Sequence, residues 1–194
     1  MDKNVRIYKQ RGNTCSIACM MMVLEYYKVI FRANWYDERR LYKIFHSKHM
    51  DGTPFSALAF FMAKNGLNVT IYHENQDLFK DKRGVIDKNV FALAIVEYQD
   101  YLSLGQKRGV KVINGIDINI SLLKQKLDDD NLIILAGEIS GNYHAVLLTG
   151  YEKDNFKVCD PLYKVKQNKT IEELETFMDT SIGKWFIAVN NKNI

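Results

Sequence analysis

The sequence predicts an α+β domain in which a helical N-terminal half packs on an antiparallel sheet from the C-terminal half. Three observations carry that reading. From Ser16 to Leu24 every residue after the serine is apolar, and a helix-length run that is apolar all round belongs inside a domain. Helix signals dominate the first third of the chain. In the last third, apolar runs of strand length, LIILAG (Leu132 to Gly137) and HAVLLTG (His144 to Gly150), are separated by turn residues. With 194 residues and 47% hydrophobic content, the whole span 1–194 is expected to share one core.

The first helix is read within Gln10 to Tyr27, QRGNTCSIACMMMVLEYY. Asn13 and Thr14 are good N-cap types, so Cys15 falls in the first turn, where unpaired amides and the helix dipole favour negative charge. A thiol there should ionise more easily than a free one. A second helix is expected over Asp37 to Phe45, with Leu41, Ile44 and Phe45 on one face and Asp37 and Glu38 at its front. Thr53 and Pro54 then supply an N-cap and a first-turn proline for a third helix carrying Leu58, Phe61 and Met62, and Gly66 stands where it stops. Leu67 to Tyr72 is β-rich and reads as a strand.

The stretch of about 74–116 reads as an insertion or lid on the same domain. It holds a charged loop (Asp81 to Gly84), a helix over Phe91 to Leu104 and a short strand over Val110 to Ile113. A further helix is expected over Asn119 to Leu127, and Asp128 to Asp130 mark a solvated turn. After the two apolar strands, Glu152 to Asn155 provide turn residues before a strand over Phe156 to Cys159. Thr170 and Glu173, in TIEE, form the pattern of a capping box for a helix over Ile171 to Met178. Trp185 to Val189 closes the chain as a strand.

Composition excludes several classes. No apolar run of about 18 residues is present, so no membrane span is expected. The first residues, MDKNVRIYKQRG, lack the apolar segment of a secretory signal. Three cysteines, an odd number, argue against a disulfide framework and for a reducing, cytoplasmic setting. The net charge of +4 comes from Lys and Arg scattered among 23 acidic residues, which is not the footprint of a nucleic-acid partner. His46 and His49, in HSKH, have no ligand-set spacing and read as a solvated helix end, and no metal or cofactor is expected. The Met20 to Met22 run and Cys19 read as core, and Cys159 should face away from Asp160 by strand alternation.

The chemistry converges on four positions. His144 opens one strand and Asp160 ends the next, sixteen residues on with a turn between. That even separation allows both side chains to share one end and one face of a hairpin, so the carboxylate can fix the ring tautomer and stabilise imidazolium. Pro161 favours an extended Asp160 and ends the ladder. If the helix start bearing Cys15 packs against that end, a thiolate–imidazolium pair follows. Gln10, just upstream, can present its amide beside the backbone N–H of Cys15 as a second oxyanion donor.

These residues, with TCSIACMMM around the cysteine, HAVLLTGY at the histidine and DP after it, resemble papain-like cysteine peptidases. Within them the chain is similar to the stand-alone bacteriocin-processing peptidases that cleave after a double-glycine leader. The blocks LYKIFHSKHMDGTPFSALAFFMAKNGLNVTIY and NLIILAGEISGNYHAVLLTGYEKDNFKVCDPLY extend the resemblance over most of the chain. It implies a papain-like fold, Cys15 as nucleophile, His144 as general base and acid, Asp160 as the orienting residue and Gln10 as oxyanion donor. It also implies a peptide or protein substrate cut after small residues such as Gly-Gly. The chain departs from the family pattern in two places: Gln10 and Cys15 are five residues apart rather than six, and Ser16 stands where glycine commonly follows the cysteine. No GxxxxGK[ST] segment occurs. Two other outcomes of the same residues are an acyltransferase that passes the acyl-thioester to an amine or thiol, and a non-catalytic module that grips a peptide.

Overall fold

The computed structural model describes residues 2–29, 32–76, 84, 86–180 and 182–191. In chain order its elements are α1 (Cys15–Tyr26), α2 (Trp35–Phe45), α3 (Phe55–Lys64), β1 (Leu67–His73), α4 (Lys88–Gln106), β2 (Lys111–Asn114) and α5 (Ile120–Asp128). There follow β3 (Leu132–Ile139), β4 (Asn142–Glu152), β5 (Asn155–Cys159), β6 (Gln167–Thr170), α6 (Ile171–Met178) and β7 (Trp185–Asn191). Every residue of α1 from Ser16 to Leu24 is buried, because α2 and α3 lie on one flank and β3 and β4 on the other. Each large side chain so enclosed contributes about 1.5–3 kcal/mol relative to exposure, which fixes this helix at the centre.

Among the described residues the strands form one sheet in the order β2-β1-β7-β3-β4-β5-β6. Strand alternation divides its side chains between two cores. Val69, Ile134, Leu147 and Ile187 face α1 to α4, whereas Leu135, Val146, Val158 and Phe186 meet Leu123 and Leu127 of α5 and Leu174 and Met178 of α6. The sheet is thus covered on both faces.

The expected C-terminal antiparallel sheet is present in β3, β4, β5 and β7, but it recruits more of the chain. β1 pairs antiparallel with β7 and parallel with β2. A parallel neighbour requires a long crossover, and the segment holding α4 supplies it. α4 is therefore part of the main core, where Tyr98 and Leu102 are buried. Residues 81–83 of the expected charged loop lie outside the described residues.

Caps account for most differences at element ends. Asn34 accepts from Asp37 N, so α2 starts at Trp35, earlier than the apolar pattern suggested. Pro54, not Thr53, occupies the N-cap position of α3 and makes no side-chain cap. Strand β6 was not foreseen, since QNKT shows no apolar alternation, and it lies at the sheet edge beside β5. The capping box of α6 is formed: Glu173 N donates to the Thr170 hydroxyl and Thr170 N to the Glu173 carboxylate.

Candidate active site

Cys15 is the first residue of α1, and Thr14 occupies the N-cap position without capping the helix through its side chain. Its hydroxyl donates instead to Glu38 Oε1. Glu38 also accepts from Arg11 N (2.9 Å) and from the Tyr8 hydroxyl (2.6 Å). The carboxylate is 1% exposed, and it binds the segment leading into Cys15 at three points. First-turn amides beside the thiol are thus left without the usual side-chain cap, where an anion is favoured. Sequence reasoning read Glu38 only as a charge at a helix front. The signal that could have found it is positional: Glu38, Leu41 and Phe45 are the buried residues of α2, so a carboxylate stands on an apolar stripe.

The β4–β5 pairing places His144 and Asp160 as the hairpin argument requires. Leu147 is opposite Cys159, so Asp160 continues opposite Val146, diagonal to His144. His144 Nε2 and Asp160 Oδ1 are 2.8 Å apart, with side chains only 7% and 6% exposed. The same oxygen accepts from Leu162 N at 2.9 Å, which holds the carboxylate in its turn before and after Pro161. On the other side, the Phe177 ring meets His144 edge-on at 6.3 Å between centroids. Gly137 pairs with His144 across β3 and β4, and a Cβ there would lie 2.3 Å from the Phe177 carbonyl oxygen. The bare backbone lets α6 close on the histidine.

Cys15 and His144 line the same cavity, and the thiol is near enough to influence the ring's protonation. Since Nε2 is engaged by Asp160, Nδ1 is the nitrogen left for sulfur. Burial pushes the His144 pKa down, but the hydrogen bonds to Asp160 and to Cys15 outweigh it and raise the value to about 9. Of the three cysteines, Cys19 and Cys159 are buried and Cys15 is partly exposed. Burial raises the Cys159 thiol to about 11, and it pushes Cys19 well above the ordinary thiol value.

Gln10 lies beside the turn that follows Asp160. Its backbone N–H donates to Pro161 O at 2.8 Å, which ties the segment before Cys15 to the turn after Asp160. Its carboxamide Nε2 donates to Gly12 O at 2.6 Å, and Oε1 is buried without a partner. Cys15 and His144 open into a cavity of about 130 Å³ that Ser16, Gly137 and Ala145 also line. Among the described residues, no group of three or more His, Cys, Asp or Glu could hold a metal ion, and no helix is long and apolar enough to cross a membrane. A thiol, an imidazolium and an orienting carboxylate in this order are equipped for nucleophilic acyl chemistry.

A family model described as Peptidase_C39 like family matches residues 2–189. The fold is similar to that of a double glycine motif protease from an AMS/PCAT transporter, solved in complex with the leader peptide. The two share 15% identity at a TM-score of 0.55, covering 98% of this chain and 94% of that one. It is also similar to the peptidase domain of Streptococcus ComA, a bi-functional ABC transporter involved in a quorum sensing pathway, with 12% identity, a TM-score of 0.53 and coverage of 97% and 100%. At such identities the likeness establishes the fold, which is the α+β, papain-like arrangement expected from the sequence. No curated protein sequence matches the chain.

Proposed function

The chain belongs to the Peptidase_C39 like family of cysteine peptidases, and from that premise we propose that it hydrolyses peptide bonds through Cys15, His144 and Asp160. The observation that carries this assignment is the His144–Asp160 contact at 2.8 Å in a cavity that the partly exposed Cys15 thiol also lines. The substrate class is a peptide or protein chain entering the cleft above Cys15.

The thiolate of Cys15 attacks the scissile carbonyl carbon, and the backbone N–H of Cys15 donates to the oxyanion that forms. Gln10 joins as second donor once its amide leaves Gly12 O, a rotation of the side chain within its own loop. The His144 imidazolium protonates the departing amine and becomes neutral. It then takes a proton from water, whose oxygen attacks the thioester and releases the acid, with thiolate and imidazolium restored. Asp160 keeps the ring oriented throughout.

The test is mass spectrometry of a defined peptide mixture incubated with the full chain, with Cys15→Ser and with Cys19→Ser. Cleavage by the parent and by Cys19→Ser, but not by Cys15→Ser, is expected. Retained cleavage in Cys15→Ser would overturn the assignment.

A further inference from the structure

The cavity that Cys15 and His144 line is mostly apolar, with Ser47, Asp51 and Thr53 among its polar residues. Its walls include Met50, Phe55, Ala94, Tyr98, Ile182 and Trp185. Phe55 stacks on Trp185 at 4.7 Å between centroids, and Tyr98 lies tilted 6.0 Å from the same indole. These three rings are 5%, 1% and 8% exposed for Phe55, Tyr98 and Trp185, so the walls are fixed by packing and do not depend on a ligand. A cavity of about 150 Å³ lined by such side chains accommodates benzene, and this one measures about 130 Å³. Glycine or alanine side chains would leave it unfilled.

Helix α4, from the stretch read in the sequence as an insertion or lid, builds one wall through Ala94 and Tyr98. The facing wall, the loop that includes Met50 and Pro54, is anchored to the same helix. Glu97 of α4 accepts from the Ser47 hydroxyl at 2.5 Å and from Lys48 N at 3.3 Å, and Ser47 N donates to Gly52 O at 2.9 Å. Both sides of the pocket are thus held at a set width. Each residue of an extended chain advances about 3.3–3.6 Å, so a pocket lined by Cys15 itself is within reach of side chains one or two residues from the scissile bond.

We propose that this pocket is a specificity pocket for a bulky apolar side chain of the substrate, of leucine or phenylalanine size, located within two residues of the scissile bond. Cleavage is then directed beside such a residue rather than by small residues alone. The inference rests on Cys15 and His144 marking the reacting centre, and it deepens that assignment by naming what the neighbouring surface selects.

The experiment uses the full chain and a peptide set with one common frame, in which the two positions before and the two after the scissile bond carry Gly, Ala, Leu or Phe in turn. Leu or Phe at one of these positions should raise kcat/KM over Gly by about tenfold or more, as expected for filling a hydrophobic pocket. Ala94→Phe places a ring in the cavity from α4. It should abolish that preference, so that kcat/KM for the Leu and Phe peptides falls to that of the Gly peptide in the same variant. Equal kcat/KM for Gly and Phe at every position overturns the proposal, as does a preference that Ala94→Phe leaves intact. If nothing is cleaved, or if Ala94→Phe does not fold, peptide binding to Cys15→Ala decides. At least tenfold tighter binding of the Phe or Leu peptide supports the pocket, and equal binding of all peptides overturns it. Failure of hydrolysis with selective binding would sink the peptidase assignment and leave the pocket standing.

Discussion

Asp160→Asn perturbs the candidate site with the least change of shape, since it removes the charge beside His144 and keeps the side chain's size. The rise of the His144 pKa from 6.5 to about 9 corresponds to about 3 kcal/mol of preference for the charged ring, shared between Asp160 and Cys15. A histidine whose pKa is raised by folding contributes its stabilisation in full below the unfolded value of about 6.5, and the contribution is lost as pH rises through about 9. Without the carboxylate, burial opposes the charged ring with only the thiol to offset it. The His144 midpoint should therefore fall by about 1–2 pH units, and the parent should be more stable than the variant by about 1.5–2.5 kcal/mol at pH 6. That gap should close by pH 10. Urea unfolding of both proteins at pH 6, 8 and 10 gives the gap, and NMR titration of the His144 ring proton gives the midpoint. A gap of equal size at all three pH values, or a midpoint that does not move, would refute the pairing as the source of the raised pKa.

Three further outcomes follow from the geometry. Glu38→Gln substitutes an amide donor for one oxygen that faces donors from Tyr8, Arg11 and Thr14; it should cost about 1–3 kcal/mol in urea unfolding and lower kcat, because the segment before Cys15 loses its anchor, and an unchanged kcat contradicts that role. Gly137→Ala brings a Cβ to 2.3 Å from the Phe177 carbonyl oxygen, and displacement of α6 should destabilise the fold by about 1–3 kcal/mol; a change under about 0.5 kcal/mol means the helix gives way freely. Iodoacetamide on the native chain should add one adduct, at Cys15, and three in urea, since Cys19 and Cys159 are buried; two adducts on the native chain would contradict the burial.

Much of the site was legible because its signals are local or periodic. Cap types before an apolar run put Cys15 in a first helical turn, and strand parity put Asp160 diagonal to His144. The capping box at Thr170 was legible for the same reason, since both partners lie within four residues. What the sequence concealed depends on distant partners. Thr14 is a good cap type, yet its hydroxyl goes to Glu38, 24 residues away. Gln10 was expected to present its amide beside the backbone N–H of Cys15, but that amide donates to Gly12 O, two residues on. A strand without apolar alternation such as β6 is defined by the neighbour it joins.

The two parts least legible in the sequence, Glu38 and α4, both bear on the surroundings of the same thiol. Glu38 binds the backbone and side chains that enter Cys15, so it bears on where the sulfur and the first-turn amides sit. Helix α4, held by Glu97 to the 47–54 loop, sets the width of the cavity into which Cys15 opens. Loosening the first should lower kcat for every peptide alike, whereas filling the second should change which peptide is chosen. A uniform loss in Glu38→Gln beside a selective loss in Ala94→Phe would therefore separate the positioning of the thiol from the choice of substrate.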